Sequence, residues 1–131
     1  GININQSDVK IRGHGIQTRI NAENPLTLTP SPGRLWECHW PSGPGVRVDS
    51  HAHTGYDMPA SFDSLLAKII VWSPTRPDAI SRMKAALNET MLLGVDTLIP
   101  LHQAILKNQD FLSGDITIRF LEEHPELLNG E

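Results

Sequence analysis

The spacing of apolar residues changes near residue 75, and this change restricts the folds open to the chain. Before it, residues 16–21 alternate Ile or Thr with Gln, Arg or Asn, the period of a strand with one buried face. After it, Ile80, Met83, Leu87 and Met91 follow at helical spacing, so that one stripe faces a core. We therefore predict one α+β domain, with antiparallel strands in the N-terminal half followed by packed helices.

The strands after the first are bounded by turns rich in proline and glycine. Residues 34–40 predict a second strand with Trp36, Cys38 and Trp40 on one face. The turn at residues 42–45 leads into a strand at 46–48, and the two are expected to form an antiparallel hairpin. The apolar run at residues 65–72 fits either a central strand or a short helical turn leading into one.

Capping residues mark the helices. Thr75 followed by Asp78 predicts a helix start in which two free amide groups are satisfied. Gly94 is expected to cap its C-terminus. Further helices are predicted from near Thr97, around residues 110–112, and from Thr117 to residue 122.

Composition excludes several classes of protein. A net charge of −4, with the basic residues scattered, argues against a nucleic-acid binder. No apolar run approaches the roughly 18 residues of a membrane helix, so no membrane partner is expected. The single cysteine, Cys38, excludes an internal disulfide and fits a reducing compartment. It is expected to be a half-buried strand residue and not a reactive thiol.

A pair of histidines is the most suggestive metal-binding pattern in the chain. His51 and His53 would share one face of a strand, and Asp49 and Asp57 could complete a metal shell. A His-X-His pair without a placed third ligand is weak, and we expect no metal here.

Arg19 lies on the polar side of the first predicted strand. Its planar guanidinium suits two-point binding of a carboxylate, bicarbonate or enolate-like oxygen. From the residues alone, a solvated arginine in a surface salt bridge is the favoured interpretation. Arg47, which follows the Gly-Pro-Gly turn after one intervening valine, allows the same two interpretations.

Several segments, taken in order, resemble one family closely. They are similar to the biotin carboxylase motifs RGHAIECRINAE, PSPG, GPGVRVDSH, YYDSLLAKLIVWG, RMRRALDE and GVKTTIP. The matching segments are residues 12–23, 30–33, 43–51, 62–72, 82–87 and the region that begins at Gly94. Co-linear motifs over residues 10–122 are far more specific than one short pattern.

The resemblance implies the C-terminal domain of a biotin carboxylase, the ATP-dependent ligase that carboxylates biotin. It implies a linker over residues 1–9, the domain over 10–125 and a tail over 126–131. Biotin and ATP with magnesium would be bound mainly by domains outside this chain. The implied partners are the N-terminal and ATP-grasp domains, a biotin carboxyl carrier protein and a second copy in a homodimer. The fragment alone is not expected to be active.

The resemblance also assigns roles to individual residues. Arg19 matches the arginine that contacts bicarbonate and steadies negative charge on the biotin ureido oxygen. Ile118 matches an apolar residue that lines the adenine pocket, although a core isoleucine fits the sequence equally. Pro44, Arg47 and Asp63 correspond to structural or interface positions, and the family's magnesium ligands lie outside this chain.

Some features depart from the family or stay open. Asn24 replaces the aspartate of NAEDP, and residues 59–62 replace a more aromatic approach to Asp63. The parent enzyme could be an acetyl-CoA, propionyl-CoA, pyruvate or urea carboxylase. Fatty acid biosynthesis and a cytoplasmic location are expected, with the mitochondrion as the alternative. A stand-alone assembly or dimerisation module of the same fold is the rival interpretation.

Overall fold

The computed structural model describes residues 3–60 and 63–128. Within them the strands are β1 His14–Asn21, β2 Gly33–Arg34, β3 Glu37–His39, β4 Val46–Ser50, β5 Asp57–Met58, β6 Leu65–Ser73 and β7 Met91–Leu93. The helices are α1 Arg76–Glu89, α2 Ile99–Ile105, α3 Gln109–Ser113 and α4 Phe120–Glu123, with 3-10 turns at Gln6–Asp8 and Pro125–Leu128. The predicted linker and tail extend beyond the described residues at 1–2 and 129–131, and Phe62 of the 62–72 motif also lies outside them.

Strand β6 is the centre of the main antiparallel sheet, whose order in the described residues is β1-β6-β4. Residues 65–72 are therefore a central strand, and the alternative of a short helical turn that leads into one is wrong. The predicted alternation of β1 is confirmed, because Thr18 and Ile20 are buried while Gln17 and Arg19 are exposed.

Helix α1 covers the apolar face of this sheet and closes the larger of two hydrophobic clusters. The larger cluster consists of Ile20, Ala67, Ile69, Val71, Ile80, Met83, Ala86, Leu87 and Leu106. The smaller one consists of Ala22, Leu35, Ala52, Met58 and Leu66. The opposite face of the sheet is left open by α1, and Arg19 lies there.

The predicted hairpin between residues 34–40 and 46–48 is wrong. β2 pairs with β5, β3 pairs with β7, and β4 joins β6. The chain changes partner between Leu35, whose amide donates to the Tyr56 carbonyl, and Trp36, whose amide donates to the Leu93 carbonyl. The Leu35 side chain is fully buried at this change and Trp36 is 70% exposed, so Trp36 does not share a buried face with Cys38 and Trp40.

Two predictions about the end of α1 are also wrong. The helix ends at Glu89, and Met91 belongs to β7, where it is 42% exposed. Gly94 follows β7 and caps no helix; its φ is 114°, and an added Cβ would overlap the Arg34 carbonyl oxygen. Glycine is needed there because two backbone segments approach closely.

The helix starts agree with the sequence in part. Thr75 Oγ1 accepts a hydrogen bond from the Asp78 amide, and the Asp78 carboxylate accepts one from the Thr75 hydroxyl in place of the expected backbone amide. α2 and α3 lie where helices were predicted. The last helix begins at Phe120 instead of Thr117, because Thr117 Oγ1 accepts from the Arg119 amide and forms a turn first.

Candidate functional site

Arg19 lies on the open face of β1, at an edge of the main sheet. Its Nη2 atom is 3.5 Å from Oδ2 of Asp63, and the two side chains are 50% and 70% exposed. Ion pairs that are this exposed contribute little to stability, since water screens them. The guanidinium can therefore leave the aspartate for another anion at small cost.

Lys68 and Asp49 lie in line with Arg19 on the same face of the sheet. Lys68 stands opposite Arg19 in the β1–β6 register and opposite Asp49 in the β4–β6 register. Directly opposed residues of antiparallel strands share a face, so Arg19, Lys68 and Asp49 form a row across three strands. Sequence reasoning missed Lys68, because its position beside Arg19 depends on a pairing between strands almost fifty residues apart.

Arg47 is held along its own strand. Its Nε and Nη2 donate to the two carboxylate oxygens of Asp49 at 2.9 and 3.1 Å. The hydrogen bond from Arg47 lowers the pKa of Asp49 below its usual value. Arg47 is thereby paired within the face and is less available to a small anion than Arg19.

A polar network surrounds the end of β1. The Glu23 carboxylate accepts hydrogen bonds from Asn21 Nδ2, at 2.9 Å, and from the Ser64 hydroxyl. The Asn21 carbonyl accepts from the Leu98 amide, and the Arg19 carbonyl is 2.8 Å from Nε2 of His102. These contacts tie the segment that carries Arg19 to the start of β6 and to α2.

Ile118 lies far from the hydrophobic core. Its relative exposure is 106%, so the alternative of an ordinary core isoleucine is wrong. It stands in the segment between α3 and α4, which is bracketed by an edge-on contact between Phe111 and Phe120. The Thr117 hydroxyl also donates to the Glu123 carboxylate. These contacts hold the segment in place, while the Ile118 side chain lies in solvent.

The residues predicted at an interface fall into two places. Pro44 and Arg47 are exposed in and beside the turn before β4. Arg47 lines a shallow depression with Ile70 and Trp72 of β6. Asp63, in contrast, pairs with Arg19 on the β1 side of the sheet. The structure does not bring Asp63 together with the other two.

The histidine pair and the cysteine are explained by local packing. His51 and His53 both pack edge-on against Tyr56, with ring centroids 5.1 and 6.0 Å away. Among residues 3–60 and 63–128, no three His, Cys, Asp or Glu side chains are grouped as metal ligands would be. Cys38 is half-buried, as predicted, and burial raises the pKa of its thiol.

Comparisons with known proteins agree with this architecture. The family model described as "Biotin carboxylase C-terminal domain" matches residues 17–123. A biotin carboxylase of Haemophilus influenzae is 47% identical over 93% of this chain and 27% of its own length. A chloroplastic biotin carboxylase of Arabidopsis thaliana is 48% identical over 94% of this chain and 23% of its own length.

A solved structure shows the same fold. It is the biotin carboxylase domain dimer of Hydrogenobacter thermophilus 2-oxoglutarate carboxylase, in complex with MgADP, ADP and bicarbonate. It superposes with a TM-score of 0.91 at 41% identity, over 97% of this chain and 28% of that one. The chain belongs to the biotin carboxylase C-terminal domain family, and it spans about a quarter of the length of the curated relatives it matches. None of the helices in the described residues is long and apolar enough to cross a membrane.

Proposed function

We propose that this chain is the C-terminal domain of a biotin carboxylase and supplies one wall of its active site. In the proposed reaction, ATP and bicarbonate give carboxyphosphate, whose breakdown carboxylates the ureido nitrogen of biotin on a carrier protein. The observation that carries the proposal is the half-exposed guanidinium of Arg19 on the open sheet face, paired only with an exposed carboxylate among the described residues.

The proposed role of Arg19 is electrostatic. Its guanidinium would bind bicarbonate and stabilise the negative charge that develops on the ureido oxygen. A donor that meets charge formed only during the reaction lowers the barrier more than it strengthens substrate binding. Lys68, on the neighbouring strand, adds positive potential to the same place. Bicarbonate in the Hydrogenobacter structure supports this substrate for the present chain.

The proposed role of Ile118 is to contact the adenine of ATP. An isoleucine that is fully exposed in this domain gains stabilisation only when another domain or a ligand covers it. MgADP in the Hydrogenobacter structure supports a nucleotide as that ligand. Magnesium and the ATP phosphates are assigned to the ATP-grasp domain of the full-length enzyme.

The experiment is an assay of the full-length protein for bicarbonate-dependent ADP release. We expect ADP release to rise when biotin is added and to vanish when residues 10–125 are deleted. ADP release that biotin does not change, in protein that has folded, would contradict the proposal. The parent is proposed to be one of the acetyl-CoA, propionyl-CoA, pyruvate or urea carboxylases, with the cytoplasm as its compartment.

An assembly role is the second candidate, and the exposed depression formed by Arg47, Ile70 and Trp72 favours it. A sheet face with apolar side chains among charged ones suits a second copy of the same domain, and the Hydrogenobacter structure is a dimer. One observation distinguishes the enzyme domain from the stand-alone module. If the reading frame upstream encodes an ATP-grasp domain, the enzyme is favoured; if it does not, the module is favoured.

A further inference from the structure

His102 contacts the backbone of the proposed catalytic arginine from a helix packed at the sheet edge. It lies in α2 and its Nε2 is 2.8 Å from the carbonyl oxygen of Arg19. No other side chain among the described residues hydrogen-bonds to that carbonyl.

This contact satisfies a group that the sheet leaves open. β1 is an edge strand, and the carbonyl that meets His102 points away from β6. Unpaired polar groups at a sheet edge must find water or another partner. Two residues on, the Leu98 amide donates to the Asn21 carbonyl. Helix α2 and the residue before it thus cover the edge at Arg19 and Asn21.

The contact also lies where β1 is least regular. The register with β6 shifts between Ile20 and Asn21, so that Leu66 has no direct partner on β1. Such irregularities bend and twist a strand and change the direction of nearby side chains. A hydrogen bond to the Arg19 carbonyl fixes the peptide plane that directly precedes the shift.

The protonation of His102 fits a donor role. Burial lowers the pKa of His102, and the hydrogen bond to the Arg19 backbone opposes this shift only in part. The ring is therefore neutral at physiological pH. A neutral imidazole carries one N–H, and a carbonyl partner at Nε2 requires that proton to be on Nε2.

We propose that His102 is a positioning residue for Arg19, which aims the guanidinium at the reacting carboxyl group by holding the backbone of the edge strand. The inference rests on the proposed function of Arg19. It assigns no contact between His102 and substrate. A misplacement of about 1 Å in a catalytic group can cost on the order of 100-fold in rate, so the effect is large enough to measure.

The test compares His102→Leu with His102→Gln in the full-length carboxylase. Leucine removes the donor, whereas the glutamine amide reaches about as far as Nε2 and restores it. We expect His102→Leu to lower kcat for biotin carboxylation about 10- to 100-fold, with the KM for ATP within about twofold because the nucleotide is bound elsewhere. We expect His102→Gln to recover most of kcat.

The matched control is Leu101→Ala, which disturbs the buried side of the same helix and leaves the hydrogen bond in place. It should lower the thermal midpoint while kcat of the folded enzyme stays within about twofold.

Equal kcat losses in His102→Leu and His102→Gln, or no loss in either, would overturn the proposal. If His102→Leu does not fold, His102→Asn takes its place with the same expected results, because the asparagine amide is one methylene shorter than that of glutamine and does not reach the Arg19 carbonyl. Full activity of an Arg19→Ala variant would instead overturn the proposed function, whatever the His102 variants do.

Discussion

Arg19 and Asp63 form an ion pair with 3.5 Å between Nη2 and Oδ2, although 44 positions separate them in the sequence. The aspartate occupies one side of the guanidinium, where a bicarbonate or ureido oxygen would bind in the proposed reaction. Because both side chains are largely in water, the pair is weak. Asp63 thus neutralises the charge of the Arg19 guanidinium but does not hold the side chain in one position.

The proposed contact between Ile118 and adenine can be tested through the KM for ATP. Changing Ile118 to Ser in the full-length carboxylase should raise the KM for ATP roughly 10- to 100-fold, because burying an isoleucine contributes roughly 1.5–3 kcal/mol. Thermal stability should not change, since the side chain is fully exposed in this domain. Ile116→Ser, at a neighbouring isoleucine that is 46% exposed, is the control. Equal KM values for the two variants would argue against an adenine contact by Ile118.

Asn24, which replaces the aspartate of the family motif, is hydrogen-bonded to Asp96. Asn24 Nδ2 donates to Oδ2 of Asp96 at 3.2 Å, and the family motif GVKTTIP has lysine at the position of Asp96. An aspartate at 24 would face the Asp96 carboxylate, so Asn24→Asp should lower the free energy of unfolding by about 1 kcal/mol. Adding Asp96→Lys should restore most of the loss.

Urea denaturation of the chain measures this effect, with Asp96→Lys alone as the control. A double variant no more stable than Asn24→Asp would show that the two positions are not coupled.

The stability of the domain should depend on pH through His102. Its folded pKa lies below the ordinary 6.5 because of burial. As pH falls from about 6.5 toward that lower value, the unfolded chain binds a proton that the folded chain does not, so the free energy of unfolding decreases. Urea denaturation at pH 7.5 and 5 should show a smaller decrease in His102→Gln than in the parent. An equal decrease in both would exclude His102 as the titrating group.

The isolated 131-residue chain should bind ATP poorly. Its proposed nucleotide contact is a single apolar side chain, Ile118, and the sequence has no G-x-x-x-x-G-K-[ST] phosphate loop. Isothermal titration calorimetry should detect no micromolar binding, whereas the full-length protein in the same buffer should bind. Micromolar affinity of the isolated chain would place more of the nucleotide site in this domain than we propose.

Local signals in the sequence predicted much of the fold. The alternation around Arg19 and the Thr75 cap each depend on residues within one strand or one turn. The alternation is confirmed, and of the two predicted capping bonds the one from the Asp78 amide to Thr75 is confirmed. The change of partner at Leu35 and Trp36 was not predictable, because it depends on Tyr56 and Leu93, which are distant in sequence. Gly94 was misassigned for the same reason, since its close neighbour is the Arg34 backbone.

The candidate site was predictable only residue by residue. The resemblance drew attention to Arg19 and Ile118, and the alternation placed Arg19 on the polar face. Lys68, Asp63 and His102 join Arg19 through strand register, a connecting segment and a helix packed on the strand edge. None of these contacts has a signature in the local pattern of residues.

The most direct test is the biotin carboxylation rate of an Arg19→Ala variant of the full-length enzyme. Loss of one donor to a developing oxyanion typically lowers kcat about 10²- to 10³-fold. We predict a loss of that size, with an unchanged thermal midpoint because the side chain is half-exposed. Normal turnover in the folded variant would contradict the central role of this arginine.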